Sequence, residues 1–260
     1  MTIHQSILIE RDGPIATVSF NRPISLNAIE ASIRAELGLA IKEVNEDDNI
    51  RVVILTGVGR AFCAGADLTE TLPEGASVED GLNEQYKPVL MAISNAPKPW
   101  ISAVNGAAAG IGSAFAMACD LTLMADDAYL YQAFAAIGLI PDGGATWHLA
   151  HTIGRKKAFE LIAFGEKLKA TDCLQLGLCN KVVPADKLME EAKAMAIILA
   201  SKAPLSLRYA KEAMNAAMSH DLANTISIEA RLQEICANSD DAKEGGQAFL
   251  EKRAAVFSGR

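Results

Sequence analysis

The sequence is poor in cysteine and histidine, and their spacing excludes several kinds of site. The five cysteines form no Cys-x-x-Cys pair, and no histidine stands at metal-ligand spacing. We therefore expect reduced, mostly structural thiols and no metal. Cys63 lies in a glycine-rich segment and could be argued as a nucleophile. A structural role is favoured for it, because no histidine occurs between His4 and His148 to act as a nearby base.

Positive charge and long apolar runs are also scarce. The formal net charge of -8 argues against nucleic acid or an anionic membrane surface as a partner. No apolar run approaches the ~18 residues of a membrane span, and the N-terminus has neither the basic start nor the apolar core of a signal peptide. The 260 residues, half of them hydrophobic, suffice for one large domain or a domain with a smaller appendage. We expect a cytoplasmic protein.

Strand and helix patterns alternate along most of the chain. Apolar runs at 7–10 and 15–20 flank turn residues and predict a hairpin, and further strands are predicted at 51–56, 100–104, 121–125 and 128–131. Apolar periodicity predicts helices at 28–46, 78–95, from the second glycine-rich segment to 118, at 145–150 and at 155–164. This alternation is typical of an α/β core with parallel strands.

The chain changes character after Pro184, where Ala, Met, Leu, Lys and Glu dominate and no strand signal occurs. We predict an α/β core over 1–200 and a helical C-terminal region over 201–260, with a soft boundary near Ala200. A helical region of this kind often covers a site or a subunit interface.

Three segments rich in glycine and alanine, 59–68, 105–114 and 138–144, are the strongest functional signal. The first two follow strand patterns and precede helical patterns. Small residues let backbone N–H groups approach a ligand, and two such loops could converge on one oxygen and stabilise an oxyanion. The glycines of the second segment do not have the dinucleotide-binding spacing, and neither loop ends in Gly-Lys-Ser/Thr. Nicotinamide and nucleotide-hydrolysing enzymes are therefore disfavoured.

These motifs resemble the crotonase superfamily of enoyl-CoA hydratases and isomerases. The resemblance covers nearly the whole chain and rests on segments 21–28, 59–68, 97–120, 138–144 and 239–253, which occur in the family's order. It implies a crotonase-like α/β spiral of β-β-α turns. It also implies a helical C-terminal region that builds trimers, often paired into hexamers.

The resemblance assigns candidate site residues. The backbone N–H groups of Ala66 and Ile111 would form the oxyanion hole for the thioester carbonyl of an acyl-CoA. Ile111 stands where the family usually has glycine, and its branched side chain would add bulk beside the acyl group. The residues implied to contact substrate are Ala64, Asp67 and Leu68 at the adenine site, Gly110 and Phe134, and, for phosphate or neighbouring-subunit contacts, Arg22, Phe249 and Lys252. No cofactor is implied other than the coenzyme A of the substrate.

The sequence departs from the hydratase pattern at two positions. The two glutamates of the hydratases correspond to Ala114 and Phe134, and Asp142 remains in a Gly-Leu-Ile-Pro-Asp motif similar to that of an isomerase-like subgroup. One carboxylate can move a proton from C2 to C4 of a 3-enoyl-CoA, and an apolar wall of Phe134, Ile137 and Ile140 would raise its pKa. The sequence therefore favours an enoyl-CoA isomerase with Asp142 as its base.

Three alternatives remain beside this hypothesis. Asp142 alone could activate water in an atypical hydratase, or the chain could bind acyl-CoA without catalysis. Asp142 could instead cap the helix that begins near Gly143. The family's aryl-CoA dehalogenases also carry an aspartate here, but the histidine and the tryptophan that they use are missing. We interpret His148 and His151 as structural.

Overall fold

The predicted N-terminal hairpin lies in the main sheet of the protein. The computed structural model describes residues 2–3, 6–71 and 75–260. The strands are β1 (Thr2–Ile3), β2 (Ile7–Asp12), β3 (Ile15–Phe20), β4 (Val52–Gly57), β5 (Ala61–Cys63), β6 (Trp100–Val104), β7 (Ala107–Ala109), β8 (Leu121–Ala125), β9 (Tyr129–Tyr131), β10 (Lys167–Lys169) and β11 (Lys181–Val183). The main sheet has the order β1-β2-β3-β4-β6-β8-β11 and is parallel from β3 onward. This confirms the parallel α/β core.

A second, smaller sheet has the order β10-β9-β7-β5. Two of its strands, β5 and β7, lie inside segments that the sequence predicted to be loops, so that prediction was too simple. They are parallel neighbours, and Gly106 allows their close approach: a Cβ placed on Gly106 would lie 2.2 Å from the Arg60 carbonyl oxygen. Strands of three residues are too short to show an alternating pattern.

Helices cover both sheets. They are α1 (Ala31–Glu46), α2 (Val78–Gly81), α3 (Lys87–Ser94), α4 (Ile111–Met117), α5 (Ala145–Phe164), α6 (Ala170–Gln175), α7 (Leu188–Ala200), α8 (Pro204–Ala217), α9 (Leu222–Ala237) and α10 (Asp240–Glu251). The chain from 78 to 94 is helical as predicted, although α2 and α3 are joined by a π-helical turn, Leu82–Tyr86. The helices predicted at 145–150 and 155–164 form one element, α5, which is broken at Gly154 (φ +77°).

Two helix starts differ from the prediction. Helix α1 begins at Ala31 rather than at residue 28, because Leu26 and Asn27 have left-handed φ angles of 53° and 59° and Ile29 pairs with Ala66. Helix α4 begins at Ile111, inside the second glycine-rich segment, but after the first segment α2 starts only at Val78.

The C-terminal region is helical as predicted up to Glu251, apart from short connections, whereas residues 252–260, which were also predicted to be helical, lie outside the helices. Helix α7 packs on β3, β4, β6 and β8, and α8 packs on α9. Lys211 on α8 donates to Asp120 Oδ2 and to the Ile93 carbonyl, both at 2.8 Å, which fastens this region to the core. The division into two domains at residue 200 stays a prediction. Among the described helices, none combines the length and the apolar character needed to cross a membrane.

Candidate active site

The first two glycine-rich loops meet at one edge of the smaller sheet. Because β5 and β7 are parallel neighbours, their carboxyl ends lie at the same edge, and residues 64–68 and 110–111 follow them. The loops are in close contact: a Cβ placed on Gly65 would lie 3.0 Å from the Ala109 oxygen and 3.8 Å from the Gly110 Cα. Gly65 has a φ of +105°, a conformation that glycine adopts readily. The predicted convergence of the two loops is therefore present.

The N–H of Ala66 is left unpaired by the way its loop is anchored. Ile29 N donates to Gly65 O at 2.8 Å, and Asp67 N donates to Ile29 O at 2.9 Å. In a parallel bridge these two bonds belong to the residues on either side of Ala66, so its own N–H points away from Ile29. No acceptor for this N–H is found in the described part of the chain.

The N–H of Ile111 is also unpaired among the residues that the structure describes. The preceding residue, Gly110, has φ 54° and ψ -131°, which places Ile111 at the first position of α4, where an N–H has no partner within the helix. The Gly110 N–H donates to the Tyr131 carbonyl at 2.9 Å. Two free backbone donors thus lie on adjoining loops, which is the arrangement that an oxyanion hole requires.

The residue after Asp142 packs against Ile111, which carries the second of these donors. A Cβ placed on Gly143 would be 2.9 Å from the Ala114 Cβ and 3.0 Å from the Ile111 Cγ1, so the chain after Asp142 lies directly on the first turn of α4. One oxygen of Asp142, Oδ1, is buried without a hydrogen-bond partner in the described structure. Burial raises the pKa of Asp142 to about 6. A carboxylate with this pKa and a free oxygen is suited to act as a base near neutral pH.

The capping interpretation of Asp142 is wrong. Gly144 is the N-cap of α5, and no side chain caps this helix. Asp142 contributes its backbone carbonyl, which accepts from Ala145 N at 3.0 Å. The carboxylate is therefore free for another role.

The predicted apolar wall is only partly present. Phe134 is buried, and its Cζ would lie 3.7 Å from a Cβ placed on Gly110. Ile137 and Ile140 are 52% and 81% exposed in this chain, so they do not enclose Asp142. The buried side chain of Ile111 packs against Gly143, and its expected place beside the acyl group stays a prediction.

Arg22 and Asp67 contact each other. Arg22 Nη1 lies 3.2 Å from Asp67 Oδ2 and donates to the Ala28 carbonyl at 3.0 Å, and Arg22 Nη2 lies 3.1 Å from Glu30 Oε2. The pKa of Asp67 is lowered mainly by the hydroxyl and N–H of Thr69 and also by Arg22. These bonds fix the first loop on the start of α1.

The other predicted substrate contacts are dispersed. Ala64 is anchored on the first loop through its N–H, which donates to Leu26 O at 3.0 Å, and Leu68 is 74% exposed. Phe249 and Lys252 lie at the C-terminal end of α10, which packs on α9. Phe249 is 82% exposed. Binding of substrate by these residues stays a prediction.

Beside the first loop lies an ionic cluster of Arg34, Glu70 and Tyr86 that the sequence patterns did not predict. Tyr86, in the π-helical turn, is buried, and its hydroxyl accepts from Arg34 Nη1 at 3.2 Å, while Arg34 also binds both Glu70 oxygens at 2.8 Å. The pKa of Tyr86 is raised mainly by burial and also by the charge of Asp142. The phenol therefore lies within electrostatic reach of Asp142. No sequence motif marks these residues, because the cluster joins α1 to the chain after the first loop.

The remaining candidate groups do not fit a catalytic role. Cys63 is buried, and burial raises its pKa to about 12, so it stays a thiol. Burial lowers the pKa of His148 to about 4, and His151 is bonded to the Trp147 carbonyl. The described residues contain no group of three or more His, Cys, Asp or Glu side chains that could hold a metal ion.

Comparison with known proteins agrees with this geometry. A family model described as enoyl-CoA hydratase/isomerase matches residues 10–260. The chain is 39% identical over 257 residues to a "probable enoyl-CoA hydratase" of Rhodobacter capsulatus, with 99% of each chain covered. It is 36% identical over 258 residues to the 1,2-epoxyphenylacetyl-CoA isomerase of Escherichia coli, with 98% of each covered.

Solved structures show the same fold. The enoyl-CoA hydratase of Bacillus anthracis superposes with a TM-score of 0.92 at 34% sequence identity, covering 98% of this chain and 100% of that one. An enoyl-CoA hydratase from Polaromonas gives a TM-score of 0.93 at 34% identity, covering 97% and 99%. The crotonase-like fold implied by the sequence is therefore confirmed.

Proposed function

The chain belongs to the enoyl-CoA hydratase/isomerase family, and we propose that within this family it is an isomerase that shifts a carbon–carbon double bond of an acyl-CoA. One observation carries this proposal. Asp142 is a carboxylate with a buried, unpartnered oxygen, and the residue after it packs on Ile111, beside the free backbone donor. The positions of the hydratase glutamates hold Ala114 and Phe134, which are both buried.

The proposed reaction needs one base and one oxyanion site. Ionised Asp142 removes a proton from C2 of a 3-enoyl-CoA, and the electron pair of that C–H bond is delocalised onto the thioester oxygen. The N–H groups of Ala66 and Ile111 stabilise the resulting enolate. Protonated Asp142 then returns the proton at C4, and the double bond moves from C3–C4 to C2–C3. No atom is gained or lost, and the carboxylate is regenerated.

The pKa of about 6 matches this task. A carboxylate with an ordinary pKa near 4 is a weak base toward a carbon acid, while one that titrates near 6 is still ionised at neutral pH and binds a proton more strongly. Backbone donors fixed before reaction lower the barrier because they need no reorganisation when charge develops.

The proposed substrates are unsaturated or ring-derived CoA thioesters. A relationship with the 1,2-epoxyphenylacetyl-CoA isomerase favours ring-derived acyl groups. Ala64, Asp67 and Leu68 would lie along the adenine end of coenzyme A, with Gly110 and Phe134 near the thioester. No cofactor is proposed beyond the coenzyme A of the substrate. A homotrimer or a dimer of trimers is proposed, in which Phe249 and Lys252 contact phosphate or a neighbouring subunit, while Arg22, which contacts Asp67 and Glu30, holds the first loop.

An atypical hydratase is the second candidate, because several similar proteins are named enoyl-CoA hydratases. In that reaction Asp142 alone would activate water for addition to C3 of a 2-enoyl-CoA. Ala114 and Phe134 offer no polar group to hold that water, which is why isomerisation is favoured. A protein that binds acyl-CoA without turnover is the remaining alternative.

Parallel assays with 3-enoyl-CoA and 2-enoyl-CoA test the proposal. We expect double-bond migration with the first, little hydration of the second, and a loss of at least about 10²-fold in migration for Asp142→Asn with unchanged CoA affinity. Asp126→Asn, an exposed aspartate after β8, is the control and should keep native rates. Hydration that exceeds migration favours the hydratase, while tight CoA binding with neither activity favours the binding protein.

A further inference from the structure

We propose that Ser113 and Gln132 are positioning residues that fix the orientation of the peptide between Gly110 and Ile111. The N–H of this peptide is one of the two donors to the substrate carbonyl, so the inference rests on the proposed function. Neither side chain would touch the substrate, since Ser113 is fully buried and Gln132 is 4% exposed.

The two side chains form a buried hydrogen-bonded chain that ends on this peptide. Gln132 Nε2 donates to Ser113 Oγ at 2.8 Å, and Ser113 Oγ donates to Gly110 O at 2.6 Å. The backbone N–H of Ser113 donates to the same oxygen at 3.0 Å. The carbonyl that shares a peptide plane with the Ile111 N–H therefore accepts two bonds from one residue.

The direction of this chain is determined by the chemistry of its members. A backbone carbonyl can only accept, so the hydroxyl of Ser113 must donate its proton to Gly110. The lone pairs of that hydroxyl then need a donor, and in the described part of the chain the amide nitrogen of Gln132 supplies it. Gln132 Oε1 is left buried and without a partner in the described structure, which is the cost of aiming the nitrogen at Ser113.

Both sides of Gly110 are fixed in this way. Its N–H donates to the carbonyl of Tyr131, the residue before Gln132, at 2.9 Å. The φ of 54° and ψ of -131° at Gly110 place it in a region that other residues avoid, so local sterics alone do not hold the peptide. The bonds from Ser113 to its carbonyl prevent the plane from rotating.

Fixing the peptide has a direct effect on the donor. Peptide groups are planar, so a carbonyl that cannot rotate also fixes the direction of the N–H on its other side. A carbonyl that accepts hydrogen bonds also polarises its peptide group and strengthens the N–H as a donor. Without the Ser113 hydroxyl, the direction of the Ile111 N–H should be less well fixed, and this N–H should be a weaker hydrogen-bond donor.

The test compares Ser113→Ala with the loss of another buried hydroxyl, that of Ser102 on β6, which also bonds to the backbone of α4. Ser102 is also fully buried, and its hydroxyl donates to a carbonyl of α4, that of Ala116, at 3.0 Å. Ser102→Ala therefore removes a buried bond of the same kind without touching the Gly110 peptide. Ser113→Cys keeps a weak donor, and Gln132→Met removes the amide at similar length.

The readout is the absorbance of bound 2,4-hexadienoyl-CoA, a conjugated thioester whose band moves to longer wavelength when its carbonyl is polarised. We expect Ser113→Ala to reduce this shift by about half and Gln132→Met to reduce it less, while Ser102→Ala keeps the native shift. The kcat for double-bond migration should fall about tenfold in Ser113→Ala, with KM unchanged within about twofold and partial recovery in Ser113→Cys.

The outcomes separate this inference from the proposed function. A native band shift in both Ser113→Ala and Gln132→Met overturns the inference and leaves the isomerase proposal intact. A shift that depends on Ser113 without any double-bond migration supports the inference and contradicts the isomerase. If Ser113→Ala does not fold, the shift of Gln132→Met decides alone. Absence of a shift in the native protein overturns the inference.

Discussion

Gly143 lies directly on Ala114, so close that a Cβ on the glycine would come within 2.9 Å of the alanine Cβ. Ala114 is fully buried, and the resemblance to the family matches its position to one of the two hydratase glutamates. The contact brings the chain that carries Asp142 onto the turn of α4 that carries the Ile111 N–H. The same contact leaves no room for a longer side chain at position 114.

Gly143→Ala should disrupt the site more than Gly138→Ala. Both glycines have positive φ angles, +59° and +75°, so each substitution costs about 1 kcal/mol of backbone strain. A Cβ at 138 meets nothing within 4 Å, whereas a Cβ at 143 overlaps Ala114 and Ile111. For Gly143→Ala we expect the free energy of unfolding, measured in urea, to fall by about 1–3 kcal/mol more, and kcat to fall at least about tenfold. Equal effects of the two substitutions would contradict the packing account.

The rate of double-bond migration should depend on the ionisation of Asp142. Burial raises its pKa to about 6, and only the ionised form can accept a proton. We expect kcat/KM to rise about tenfold per pH unit below pH 6 and to level off above it. A profile of initial rates from pH 4.5 to pH 8 measures this. A rate that does not change between pH 5 and pH 7 would exclude Asp142 as the base.

Asp142→Asn should stabilise the protein at neutral pH. Because the folded-state pKa is raised, the native state holds a proton that the unfolded chain releases between about pH 4 and pH 6, so stability falls as pH rises through this window. The uncharged amide introduced by Asp142→Asn removes the free-energy cost of ionising this carboxyl in the folded protein. After allowance for solvent screening of the half-buried group, we expect Asp142→Asn to raise the free energy of unfolding by about 1 kcal/mol at pH 7.5, or Tm by roughly 2–4 °C. Near pH 4 we expect no gain in stability. A gain of the same size at both pH values would indicate another cause.

Arg22 should act mainly by holding the first loop. Its guanidinium already faces Asp67 and Glu30, which offset its charge. We expect Arg22→Met to raise KM by a similar factor for an acyl-CoA and for the matching acyl-pantetheine thioester, which lacks the nucleotide phosphates. Lys42→Met, in an exposed i,i+4 pair, is the control. A rise in KM for the full CoA thioester alone, with KM for the pantetheine thioester unchanged, would show instead that Arg22 binds phosphate.

The pair of Lys211 and Asp120 should contribute more to stability than a surface pair. Burial raises the pKa of Asp120, and Lys211, whose side chain is 8% exposed, opposes this shift. Lys211→Met leaves the Asp120 carboxylate without its cation. We therefore expect the free energy of unfolding, measured in urea, to fall by about 2–3 kcal/mol. Lys187→Met breaks an exposed pair with Glu190 and should cost less than about 0.5 kcal/mol. Equal losses would contradict the anchoring role of α8.

The longer elements of this fold are predictable from the sequence, whereas the shortest are not. Buried residues recur along α1 at Ile33, Leu37, Ile41 and Val44, so its helical period is visible. The strands β5 and β7 have three residues each and lie in alanine-rich sequence, where no alternation can be seen. Gly154 breaks α5 between the two helices that the sequence predicted.

The candidate site was predictable in its backbone and less so in its side chains. The candidates Ala66, Ile111 and Asp142 rest on the resemblance of glycine-rich motifs to those of the family, and these motifs are continuous in sequence. The contact of Arg22 with Asp67 and the chain from Gln132 to Ser113 join residues distant in sequence, and no local pattern marks them. Exposure of Ile137 and Ile140 also could not be predicted, because it depends on packing between separate elements.

The most direct test of the central claim is proton exchange at the substrate itself. A 3-enoyl-CoA would be incubated in deuterium oxide with the native protein and with Asp142→Asn, and deuterium at C2 and C4 would be followed by NMR. We expect deuterium at both carbons with the native protein, because the proton held on the Asp142 carboxyl exchanges with solvent in part of the turnovers, and none above background with Asp142→Asn, while CoA affinity is unchanged. Exchange at the native rate in Asp142→Asn would contradict Asp142 as the proton shuttle.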